Sequence, residues 1–103
     1  MGPFPTLIGL RLSAQRALLD CVSPSWRQVS VSADEASREY HLRFVFTSNV
    51  TDDEFEDAQA AATEIMADFP DWKANEEFQK CDPPEKPRPL DWIVYCRKEQ
   101  PHT

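Results

Sequence analysis

Glycine is nearly absent from this 103-residue chain: Gly2 and Gly9 are the only two. No glycine-rich loop is available to cradle a phosphate. No Asn-Gly or Asp-Gly pair marks a tight two-residue hairpin. Long apolar runs are missing as well, and none approaches the ~18 residues of a membrane span. The opening stretch from Met1 to Leu10 has neither a basic start nor a long apolar centre, so no signal peptide is expected. Cysteine is sparse and unpaired in pattern: Cys21, Cys81 and Cys96 are an odd number with no C-x-x-C. They read as reduced thiols of a cytoplasmic protein, acting as small, half-buried hydrophobes. The two histidines, His41 and His102, lie far from the cysteines in sequence, so no zinc site is expected. No nucleophile motif is present, and no cofactor is expected. Basic charge is scarce: 11 Lys and Arg stand against 18 Asp and Glu, a net charge of −7. That balance argues against nucleic acid and against anionic membrane surfaces as partners. It favours solubility and a basic protein partner.

What the chain does have is the composition of one soluble globular domain, 41% apolar and 28% charged. The stretch from Thr51 to Trp72 is its best-marked element. Between Arg43 and Lys73 there is no Lys or Arg, but there are eight carboxylates: Asp52, Asp53, Glu54, Glu56, Asp57, Glu64, Asp68 and Asp71. Thr51 and Glu54 have the spacing of a capping box. Negative charge in the first turn suits the helix dipole. Phe55, Ala58, Ala62, Ile65 and Phe69 recur at steps of three and four, which is one helical face. Pro70 should end the helix at Phe69. Asn49-Val50-Thr51 formally fits a glycosylation sequon, but a capping role for Thr51 is the simpler reading.

The rest of the chain builds around that helix. Residues 1–6, with Pro3 and Pro5, read as a loose arm, and residues 99–103 as a tail. A first helix is expected from Leu7 to Cys21, with Leu10, Ala14, Ala17, Leu18 and Cys21 inward. Trp26 to Ser32 alternates as a strand. Residues 33–38 are a polar turn. Glu39 to Thr47 is the clearest strand, with Tyr40, Leu42, Phe44 and Phe46 on one face. These two strands should pair antiparallel. Their other face, carrying Arg27 or Gln28 with His41 and Arg43, should meet solvent. Asp71 to Cys81 fits a strand through Trp72, Ala74, Glu76 and Phe78, and a helical stripe through Ala74, Phe78 and Cys81. It is read as a strand, because the strand after it needs an antiparallel mate. Asp82 to Pro89 holds four of the nine prolines and should be an extended loop. Leu90 to Lys98 is a last strand. It is apolar on both faces, so it is expected inside the sheet. The fold class is α+β: helix, two strands, helix, two strands. Two helices would pack on one face of a four-stranded, mainly antiparallel sheet.

Three constellations are candidate sites. The acidic helix reads either as a solvated, well-capped face or as a surface for something cationic. Eight like charges without a base repel one another, and that repulsion favours a binding role. His41 and Arg43 read as a cationic catalytic pair or as the polar face of a half-exposed sheet. Catalysis would also need a positioned partner and a pocket. Trp26, Trp72 and Trp92 each begin a strand and are core anchors by default. Trp72, with Asp68, Asp71, Glu76 and Glu77 nearby, is the candidate interface anchor.

The succession R-A-L-L, V-S-V, L-R-F-V-F, T-D-D-E, A-T-E-I-M-A-D-F-P-D and W-I-V-Y-C-R-K-E, from about Leu12 to Glu99, resembles a family. It is similar to small acidic bacterial immunity proteins of contact-dependent growth inhibition and polymorphic-toxin systems. The resemblance implies a non-enzymatic, cytoplasmic inhibitor that binds the C-terminal toxin domain of its own system, often a basic nuclease. It implies no particular contact residues, because immunity surfaces vary with each toxin. On charge, the expected partner-binding residues are Asp52, Asp53, Glu56, Asp57, Asp68, Asp71, Trp72, Glu76 and Glu77. The chain itself is expected to be a monomer or weak dimer. Two other readings stay open: a small enzyme using His41 and Arg43, and an adaptor that dimerises through its sheet.

Overall fold

A computed structural model describes residues 6–19 and 21–98. In chain order the elements are α1 (Thr6–Ala17), β1 (Trp26–Asp34), β2 (Glu39–Phe46), α2 (Asp52–Asp68), β3 (Lys73–Lys80) and β4 (Trp92–Cys96). This is the expected α+β order. The strands form one sheet in the order β3-β2-β1-β4. β1 runs antiparallel to both β2 and β4, while β2 and β3 are parallel. The expected arm and tail lie outside the described residues, except Thr6, which opens α1. That helix is shorter than the expected Leu7–Cys21. After Ala17 the backbone tightens, with the Leu19 N–H on the Arg16 carbonyl and the Cys21 N–H on that of Leu18. Such i−3 bonds close a helix end.

α2 forms for the reasons its residues supply. The Thr51 hydroxyl accepts from the Glu54 N–H at 3.1 Å, and the Glu54 carboxylate accepts from the Thr51 N–H at 2.9 Å. Glu54 also accepts from the Ser25 hydroxyl, which ties the helix start to the entry of β1. The Thr51 N–H, helped by serine and threonine hydroxyls, holds the Glu54 carboxyl down to about 2, against an ordinary 4.5. The stability that this carboxylate contributes is therefore complete above about pH 4.5 and lost as pH falls towards 2. Thr51→Ala is expected to cost about 1 kcal/mol. Chemical denaturation at neutral pH reads that loss.

Ala58, Ala61, Ala62 and Ile65 are the buried residues of α2. They share one core with Leu10 and Ala14 of α1 and with Val29, Val31, Leu42 and Phe44 of the sheet. Trp26 is fully buried and meets Phe44 and Phe46 edge-on. Phe55 packs on Phe46 and Phe78, while Phe69 packs on Tyr40. α2 therefore runs antiparallel to β2 and β3 and bridges them as a crossover. That crossover corrects the reason given for β3. It is a strand, but its mate is β2, in parallel. A connection containing a 17-residue helix is long enough for such a crossover.

Two further expectations are overturned. β4 lies at an edge of the sheet, beside β1, and not inside it. The centre of the sheet face away from the helices does not meet solvent, although His41 on it stays half-exposed. Gln28 and Ser30 of β1 and Val45 of β2 are at most 5% exposed. The proline-rich connection from β3 to β4 lies across them. It has to travel from one edge of the sheet to the other, and it takes this face because the helices fill the opposite one. Arg43 donates to the Arg88 carbonyl at 2.8 Å, and the Leu90 N–H donates to the Ser30 hydroxyl at 2.9 Å. Arg27 is the extra residue of a bulge between the Trp26–Phe46 and Gln28–Val45 pairs. The bulge re-aims its side chain. Its guanidinium donates to the carbonyls of Cys81, at 2.7 Å, and Glu85, at 2.8 Å.

Candidate functional site

The outward carboxylates divide into three places. Asp52, Asp53, Glu56 and Asp57 sit exposed on the first two turns of α2. Among the described residues none of the four pairs with a Lys or Arg. Helix geometry explains the grouping. Glu54 turns back to cap the chain, while its neighbours point away from the core stripe. The helix dipole and the carboxylates act in opposite senses here. The positive helix end stabilises the charges, and the charges then present a one-sign face to solvent.

The second place is the other end of α2, about 25 Å away along a 17-residue helix. Asp68 accepts from the Ser13 hydroxyl at 2.6 Å and from Arg16 at 3.4 Å, so it holds α1 to α2. Asp71 is exposed in the turn that follows. Trp72 is half-buried and packs against the core, so it is not presented as an outward anchor. Glu76 is exposed on β3. The third place is the opposite sheet face. There Glu77 takes the Arg43 guanidinium through both oxygens at 3.3 Å and also accepts from Gln79. The nine residues expected to bind a partner thus do not form one patch. His41 is half-exposed beside Arg43 on that sheet face, and Arg43 is occupied by Glu77 and the Arg88 carbonyl.

Tyr40 lies beneath the second place. Burial, with a smaller contribution from the Glu76 charge, pushes its hydroxyl up to about 12, against an ordinary 10.0. The unfolded chain loses that proton first. Stability from Tyr40 is therefore complete below pH 10 and falls as pH rises towards 12. The hydroxyl is buried without a hydrogen-bond partner among the described residues. Tyr40→Phe is expected to flatten the alkaline loss while leaving neutral-pH stability equal or slightly higher. Urea titrations at about pH 8 and about pH 11 separate the two effects.

A groove between α1 and α2 continues the first place. One part, of about 270 Å³, lies between Ser13 and Asp68. It shares Arg16, Ala17 and Glu64 with a larger part of about 400 Å³, which reaches Leu19 and Asp57. Alanines on both helices let the backbones approach and leave the groove shallow. Leu19 at its mouth is 76% exposed, more than any other large apolar side chain described. Sequence reasoning passes over Leu19. The signal is the R-A-L-L string itself: of two adjacent leucines in the turn that closes a helix, only one faces the core, and Leu18 does.

A model of the MafI2 immunity protein family matches residues 8–99. The chain belongs to this family. The match runs from the first turns of α1 to just past β4, so it covers the fold described above. No curated protein matches the chain. Membership makes it an immunity protein of a toxin system, with a toxin protein as its partner.

Proposed function

We propose that this immunity protein neutralises a cationic, nucleic-acid-cleaving toxin domain in the cytoplasm, as part of a contact-dependent or other polymorphic-toxin system. The toxin's basic surface lies against Asp52, Asp53, Glu56 and Asp57, where the carboxylates stand in for substrate phosphates. Leu19 and the groove beside Asp57 supply the apolar contact that charge alone does not. The observation that carries this reading is the stretch of 29 residues without a Lys or Arg, residues 44–72, four of whose eight carboxylates, Asp52, Asp53, Glu56 and Asp57, stand exposed at one helix start with no base paired to them among the described residues. Selection for stability alone would have placed bases among them. Asp68, Asp71 and Glu76 form a secondary acidic rim. Trp72 and Glu77 are left to structural roles.

The test pairs this chain with the toxin encoded beside it. Co-expression is expected to restore growth. The association rate is expected to fall about tenfold or more between low and high salt, with dissociation little changed. Growth rescue with a salt-independent association rate would remove the electrostatic part of the proposal.

A further inference from the structure

The two sheet edges differ in character. β3 carries Lys73, Glu76, Glu77 and Lys80 within eight residues, and charge of this kind blunts an edge against further pairing. β4 reads Trp92-Ile93-Val94-Tyr95-Cys96, with no charge and no proline. Trp92 is 40% and Ile93 42% exposed. On the helix side the Arg11 guanidinium lies 3.5 Å over the Trp92 ring. Ile8, 40% exposed, stands one turn before Arg11 on α1. Trp92 pairs with Val31 and faces the helices, so the apolar flank runs from Trp92 onto Ile8 of α1, while Ile93, paired with Ser30, adds an exposed apolar side chain on the other face of the same edge.

We infer that this flank is where a second copy of the chain docks, β4 beside β4, antiparallel about a two-fold axis near Val94. The charges that bound the strand select a second copy. Asp91, exposed, precedes β4, and Arg97 and Lys98 follow it. Antiparallel pairing about Val94 sets position 91 opposite position 97; the Arg97 guanidinium is held by the Pro24 carbonyl at 2.8 Å, so the cation that each Asp91 meets on the other copy is the neighbouring, exposed Lys98. The distribution of net charge agrees. α2 packs over β2 and β3, two strands or more from β4. In the pair the acidic helices lie at the far ends, at least roughly 24 Å apart at 4.8 Å per strand, against a screening length of ~8 Å. Two chains of −7 can then associate without their acidic faces meeting. β4 is short, and Val94 is an extra residue in its ladder with β1. The shared ladder is therefore limited to a few hydrogen bonds, and Trp92, Ile93 and Ile8 supply most of the attraction. Self-association is expected only at about tens of micromolar and above, as befits a small interface.

Sedimentation equilibrium from about 5 to about 500 µM tests this. The mass is expected to rise from 11.8 kDa towards twice that value. Ile93→Lys and Asp91→Lys should each weaken association about tenfold or more. The double variant Asp91→Lys with Lys98→Asp should recover it, and circular dichroism should show every variant folded. A constant 11.8 kDa, a dimer indifferent to both single changes, or a charge swap that fails to recover would overturn the inference. So would a monomeric chain whose Ile93→Lys variant loses toxin inhibition, because that edge would then belong to the toxin.

Discussion

Changing Asp52 and Asp53 to Asn together with Glu56 and Asp57 to Gln and Asn is expected to weaken toxin binding about a hundredfold. The four carboxylates occupy two successive turns, and none is neutralised by a base among the described residues. A basic surface brought against them meets all four charges at once. Most of the loss is expected in the association rate, because exposed charges act chiefly on encounter. The salt dependence of association should shrink in the same variant. Folding should survive. The helix start loses favourable charge on its dipole and is relieved of mutual repulsion, and these opposed effects are of similar size. The Thr51–Glu54 box, untouched by the variant, still marks the helix start. Surface plasmon resonance at several salt concentrations, with a thermal melt of the free variant, checks both halves.

Arg27→Met is expected to be the most damaging single substitution for stability, at about 3 kcal/mol. Arg27 is 2% exposed, and its guanidinium holds two carbonyls of the connection that covers the sheet. Methionine fills similar space but donates nothing, so the Cys81 and Glu85 carbonyls lose their donor. Removing one member of a buried polar arrangement costs more than the net worth of the bond, because the other members stay desolvated. For a domain of this size that is a fall in melting temperature of about 12–20 °C. The change should also loosen residues 82–90, speeding hydrogen exchange at the Leu90 N–H, which Ser30 now holds. Asp82 should feel the loss too. Its carboxyl is held below the usual range by the Ser48 N–H first and hydroxyl next, with the Arg27 charge a smaller contributor.

α2 is legible in the sequence because every local signal agrees: cap, first-turn charge, apolar stripe and proline stop. The pairing of β1 with β2 is legible for a similar reason, since the alternation of Tyr40, Leu42, Phe44 and Phe46 fixes which face turns inward. The position of β4 is not. An edge strand and an inner strand can both carry apolar residues on two faces, and here Trp92 turns to the helix side, where the Arg11 guanidinium lies over its ring. β3 is identified as a strand on a faulty premise, that consecutive strands pair. The crossover through α2 sends it to β2 instead. The role of Arg27 depends on a bulge, which leaves no trace in an alternating string. The charged face of α2 is readable from residue types alone. Which carboxylates share a surface is not, because Glu77 and Asp68 are claimed by Arg43 and by Ser13 with Arg16, partners distant in sequence.

Carbodiimide labelling of carboxylates, read residue by residue in the free chain and in its toxin complex, tests the central claim most directly. Asp52, Asp53, Glu56 and Asp57 are expected to label fully when free and to be protected in the complex. Asp34, Glu85 and Asp91, away from α2, should label equally in both states. Unchanged labelling of the α2 carboxylates, with protection appearing elsewhere, would contradict the account.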